Sequence, residues 1–133
     1  MTADSDAGAK LFTDYAVGLG RYAYAALDAD AFAPVSLPGC TGCRQLMASI
    51  RAAKARGHHF AHTDFRVVID SPPSPQTLIY EGQIVFDGYG PIEVDATGRP
   101  VGPLPPGQHG KHGWGITIKW TGEGWAISVL ETV

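Results

Sequence analysis

No apolar run in this chain is long enough to cross a bilayer as a helix, so a helical membrane span is not expected. Cysteine is scarce: two residues in 133, at positions 40 and 43. Basic residues are few and scattered. Ten Lys and Arg against thirteen Asp and Glu leave a formal net charge of −3, and only Arg51, Lys54 and Arg56 cluster. That balance argues against nucleic acid, or an anionic membrane surface, as the main partner. There is no Gly-rich phosphate loop, no Gly-x-Ser-x-Gly elbow and no nucleophile beside its base, so no cofactor is implied. The first residues, Met-Thr-Ala-Asp-Ser-Asp-Ala-Gly, have neither a basic n-region nor an apolar h-region and do not read as a signal peptide. Either the chain is cytoplasmic, or it is extracytoplasmic with a targeting segment removed and Met1 added.

What is present is ordinary globular material, 44% apolar and 17% charged. The length suits one domain over residues 1–133, with 1–6 a polar tail. Apolar residues at Leu11, Phe12, Tyr15, Ala16, Leu19, Tyr22, Ala23, Ala26 and Leu27 recur at helical spacing, predicting a first helix over Ala7–Leu27. Gly18 and Gly20 each weaken it by about 1 kcal/mol relative to Ala, and suggest close approach of another element. Asp28 can cap a short second helix, Ala29–Phe32, ended by Pro34. A Cys-Thr-Gly-Cys turn leads into a third helix, about Thr41–Arg56, with Leu46, Met47, Ile50 and Ala53 on one face. Gly57 is its natural terminator.

The hydrophobic period then drops to two. Phe60–Asp70 reads as one strand carrying Phe65, Val67 and Ile69 on one face. Leu78, Tyr80, Ile84 and Phe86 mark a second. Ile92–Ala96 and Val101 flank a Thr-Gly-Arg turn. Residues 102–113 form a Gly/Pro/His loop. Trp114, Ile116, Ile118 and Trp120 share a face of the next strand, and Trp125, Ile127 and Val129 share a face of the last, joined by the Thr-Gly-Glu-Gly turn. Helices first and antiparallel strands after them make an α+β domain, three N-terminal helices packed on a curved, mostly antiparallel sheet.

Three readings compete for Cys40 and Cys43. The pair can be a structural disulfide closing the turn, worth about 2 kcal/mol for so short a loop. It can be a redox pair with a thiolate favoured by the helix N-terminus, although the surrounding helices are not the βαβ context such pairs usually occupy. Or the spacing Cys40-x2-Cys43-x14-His58-x3-His62 can be a zinc set. A helix of that length between cysteines and histidines separates them by about 20 Å, which argues against zinc.

The order of elements, the Cys turn and the closing Trp-Thr-Gly-Glu-Gly-Trp hairpin resemble the nuclear transport factor 2-like (cystatin-like, SnoaL-like) superfamily. More narrowly, Tyr22-Ala23, Asp28 to Asp30, Ser36-Leu37-Pro38, Cys40–Cys43 and Gly57 resemble an uncharacterised actinobacterial lipoprotein domain. The resemblance implies a cone-shaped sheet, secretion, an upstream lipid anchor and an oxidised Cys40–Cys43 disulfide. It also implies a homodimer through the exposed sheet face. Enzymes of this superfamily place acid/base groups inside the cone. Here the inward positions carry neither carboxylate nor histidine, so catalysis is not expected, and no metal site either. Tyr15, Tyr22, Tyr80 and Trp114 are candidates to line a pocket for a small apolar ligand, with His112 on a lid-like loop; core packing is the competing role for the aromatics. The expected function is an extracytoplasmic, non-catalytic domain binding a small apolar ligand or an envelope protein. The alternatives are an isomerase/dehydratase-type enzyme and a dimerising scaffold.

Overall fold

The computed structural model describes residues 6–63, 66–68, 79–85, 91–102 and 113–132. Helix α1 spans Asp6–Ala26, a 3₁₀ helix follows over Ala29–Val35, and α2 spans Thr41–Ala55. Both α-helices end in the same hydrogen-bonded cap. His58 N donates to Ala53 O across Gly57, which sits at φ 75°, and Asp28 N donates to Ala23 O across Leu27, at φ 56°. Gly57 adopts that left-handed geometry without penalty; Leu27 does so at some steric cost, and packs against the core.

The buried face of α1 is Ala9, Phe12, Thr13, Ala16, Val17, Ala23 and Tyr24. It is rotated from the face expected: Leu11, Tyr15 and Tyr22 are 62%, 48% and 53% exposed. Small residues dominate the true face, so the helix lies close to its neighbours. Thr13 satisfies its hydroxyl on Ala9 O at 2.8 Å within the helix. On α2 the buried set is Cys43, Leu46, Met47, Ile50 and Ala53, the expected stripe with one cysteine added.

Six strands follow: β1 His59–Ala61, β2 Arg66–Val68, β3 Ile79–Val85, β4 Ile92–Val94, β5 Gly113–Trp120 and β6 Trp125–Thr132. The expected single strand Phe60–Asp70 is therefore two short pieces. His62, at φ 57°, turns the chain between them. β1 pairs with β4 in a small antiparallel sheet, while the larger antiparallel sheet has the order β2-β3-β5-β6. Phe65, Ile69, Leu78 and Phe86 lie outside the described residues. Tyr80, Ile84, Ile116, Ile118, Trp125 and Ile127 meet the helices and form the core.

The last strand departs from simple alternation. Thr117 pairs with Val129 and Ile118 with Ile127, so Ser128 is an extra residue in β6. Its hydroxyl donates to Thr117 O at 3.2 Å. Beyond this bulge the faces exchange. Val129, expected inside, is 41% exposed, and Leu130 is buried instead.

At the far end of α2, His58 Nδ1 donates to Glu93 Oε2 at 2.6 Å, and Arg56 Nη1 reaches both Glu93 oxygens at 3.3 Å. The His58 hydrogen bond first, and Arg56 after it, hold the Glu93 carboxyl below the usual carboxylate range. A carboxylate held low in the fold adds stability above its unfolded titration, and that stability is lost as pH falls through the folded value. Glu93→Gln should therefore destabilise by about 1 kcal/mol near neutral pH, after solvent screening. The gap between variant and parent should close in urea melts taken at progressively more acidic pH.

Candidate functional site

Among the described residues, the space between α1 and the sheet is nearly filled. The cavity between α1 and the sheet, bounded by Ala16, Val17, Phe32, Ile84, Ile116 and Ile127, measures about 10 Å³. That is no more than a single water needs. Tyr80, a pocket candidate from sequence, is buried and packs its ring edge-to-face on Trp125 at 5.2 Å. Among the described residues, the inward face of the sheet carries no carboxylate and no histidine.

An open cleft of about 450 Å³ lies instead on the flank, between α2 and β6. Thr41, Gln45 and Ser49, one turn apart, form one wall. Ser128, Val129 and Glu131 form the other, and Tyr24, Leu46 and Trp114 are the apolar surfaces between them. The bulge at Ser128 creates this site: without the exchange of faces, Val129 would point into the core. Tyr24 packs against Phe60 (centroids 4.9 Å) and Trp114 (6.1 Å). Burial pushes its phenol well above the ordinary value, so it stays neutral and serves as a hydroxyl rather than a base.

Of the residues singled out from sequence, Trp114 lines the cleft and Tyr80 is core. Tyr15 and Tyr22 face outward on α1 and line neither space. They are corrections to the expected pocket, and the aromatic that occupies the helix side of the cleft is Tyr24. His112, like His109, lies outside the described residues. Tyr24 was legible only through the small-residue stripe Ala9, Ala16 and Ala23, which marks the buried face better than total apolarity does.

The base of the cleft is the Cys turn. Cys40 and Cys43 are disulfide-bonded and both are fully buried. Cys40 is the N-cap of α2, its Sγ accepting from Cys43 N at 3.2 Å. A redox pair needs a sulfur that a thiolate can reach; neither is reachable here. The zinc grouping is not assembled: the cysteines bond each other, and His58 sits at the opposite end of α2 bonded to Glu93. Among the described residues no three His, Cys, Asp or Glu side chains gather as a metal site. The native disulfide should resist mild reductant and yield labelled thiols only once the chain unfolds. Rapid thiol labelling of the folded protein would restore the redox reading.

No helix among the described residues is long and apolar enough to cross a membrane. No family model matches the sequence, and no curated protein does. Among solved structures, the chain is similar to an NTF2-like protein with a cystatin-like fold from Novosphingobium aromaticivorans. The TM-score is 0.52 at 14% identity, covering 92% of this chain and 79% of that one. At that identity the likeness is one of fold, and with the helices and antiparallel sheets described above it identifies the architecture as the α+β, cystatin-like fold of NTF2-like proteins.

Proposed function

We propose that this chain is a non-catalytic binding domain of the cell envelope, and that it holds a small amphipathic molecule in the cleft between α2 and β6. The observation that carries the reading is the contrast between the two spaces. Among the described residues, the cavity between α1 and the sheet has about 10 Å³ and the inward sheet face carries no carboxylate or histidine, whereas the flank offers about 450 Å³. Recognition sites combine apolar surface with a few placed polar groups. Tyr24, Leu46 and Trp114 supply the first; Thr41, Gln45 and Ser49 supply the second. Glu131 adds a carboxylate, so a neutral or cationic ligand is favoured over an anion. The wholly apolar ligand expected from sequence is thereby replaced by one with a ring and hydroxyl, amide or amine groups.

The envelope assignment rests on two supports. A buried structural disulfide persists in oxidising compartments and is rare in reducing ones. The resemblance to an actinobacterial lipoprotein domain points the same way, with the membrane reached only through an upstream anchor. An isomerase or dehydratase would need a carboxylate or histidine facing the cone, and the described inward face offers none.

Native mass spectrometry of the unreduced protein, compared with the denatured chain, tests the site. A discrete extra mass is expected. Val129→Trp, which fills the cleft from an exposed position, should abolish it. A bound mass that persists in that variant would contradict the cleft assignment.

A further inference from the structure

We propose that the outward face of α1 is a self-pairing surface, on which a second copy of this chain docks with its own α1 antiparallel. Three of the large apolar side chains exposed on the described surface, Leu11, Tyr15 and Tyr22, belong to this one helix. At 3.6 residues per turn, positions 11, 15, 18 and 22 fall within about 60° of one another, so they form a single row. Isolated exposed apolar residues are ordinary; a row on one face marks a contact surface.

Gly18 stands in the middle of that row. A glycine inside a helix is unfavourable by about 1 kcal/mol relative to Ala unless something needs the space. Within the chain nothing described does. A Cβ built at Gly18 would meet only the end of the Arg21 side chain, at 3.6 Å. The gap suits the close approach of a second helix from outside.

The row is also self-complementary under a two-fold axis, the requirement for a closed dimer. With the axis between Gly18 and Leu19, Tyr15 lies opposite the partner's Tyr22, and Leu11 lies opposite the partner's Ala26. Such an axis, perpendicular to the helices, keeps each flank of one helix beside the same flank of the other. Asp14 and Arg21 share a flank. Their distances from the axis, 4.5 and 2.5 residues, place Asp14 within about 3 Å, along the helix, of the partner's Arg21. Both copies gain the same opposite-charge pair. The outward face of the sheet is a poorer candidate, since it presents Glu81, Thr117 and Lys119. An anionic membrane is poorer too, because Asp14 offsets the few basic groups beside the row.

Sedimentation velocity on the full chain across a concentration series tests this. The parent should form a dimer. D14R and R21D should each weaken it by at least about tenfold, since each sets like charges together twice. Mixed in equal amounts, the two variants should form a heterodimer, because both cross-pairs then carry opposite charge. Any variant that loses the parent's circular dichroism spectrum is replaced by Gly18→Leu, which blocks close approach and should give a monomer. A parent that stays monomeric throughout overturns the proposal. So does a dimer indifferent to all of these changes, and so does a monomer that instead sediments with anionic lipid vesicles.

Discussion

Gly42→Ala is expected to destabilise the fold by about 3 kcal/mol or more, the upper end of what an overpacked interior shows. A Cβ at this position would lie 1.6 Å from Leu130 O and 2.7 Å from Leu130 C. Both are backbone atoms, so no rotamer change relieves the clash. Either the first turn of α2 or strand β6 must move, and the disulfide holds that turn in place. The glycine of the Cys-Thr-Gly-Cys turn is thus the point where helix and sheet backbones touch, and the contact also sets one end of the cleft. Gly39→Ala is the control. Nothing lies within 4 Å of its added Cβ, so it should stay within about 0.5 kcal/mol of the parent. Urea midpoints for the two variants read the difference directly. Equal midpoints would mean that α2 and β6 are not packed as described.

The second large effect is expected at Trp125. Its ring is buried, meets Tyr80 edge-to-face at 5.2 Å and Trp120 at 5.4 Å, and so joins β3, β5 and β6. Trp125→Ala should lower stability by about 3–5 kcal/mol, through lost burial and the cavity left behind. Trp125→Phe keeps an aromatic edge at the same place and should lose less. Tyr15→Ala, on the open face of α1, should change monomer stability by no more than about 0.5 kcal/mol. Comparing the three by thermal and chemical denaturation separates aromatic residues that build the core from those that face outward. A Trp125→Ala loss no larger than that of Tyr15→Ala would contradict the placement.

Much of this architecture was legible from local patterns. The extents of α1 and α2 follow from period-3.6 spacing and, for α2, from the Cys turn before it and the terminating Gly57; that Cys40 caps α2 is a finding of the structure. The β5–β6 hairpin follows from its turn residues, with Gly122 at φ 95° and Thr121 hydroxyl bonded to Gly124 O. The 3₁₀ helix runs three residues past the expected Phe32, through Pro34 to Val35. Proline does not interrupt so short an element because it removes only one donor.

What was not legible depended on partners distant in sequence. The outward row of α1 contains larger apolar residues than the buried one, so a reading weighted by hydrophobicity chooses Tyr15 and Tyr22 over Tyr24. Only the neighbouring elements decide that small residues go inward. The bulge at Ser128 leaves no mark in a strand that otherwise alternates, yet it moves Val129 and Glu131 to the cleft and Leu130 to the core. Gly42 reads as an ordinary turn glycine until Leu130 is placed against it. The break at His62 hides within a run of strand-forming residues. Each miss is a case of tertiary packing overriding a local preference, and two of them, Ser128 and Tyr24, fall on the candidate site.

The central claim is that small molecules are held on the flank, between α2 and β6, and not inside the cone. Two-dimensional amide NMR of the oxidised protein, titrated with a panel of small aromatic alcohols, amines and amides, tests it most directly. The account predicts shifts clustered at Tyr24, Gly42, Gln45, Ser49, Val129 and Glu131 and at the Trp114 indole. Shifts centred on Ala16, Val17, Ile116 and Ile127, or none with any member of the panel, would contradict it.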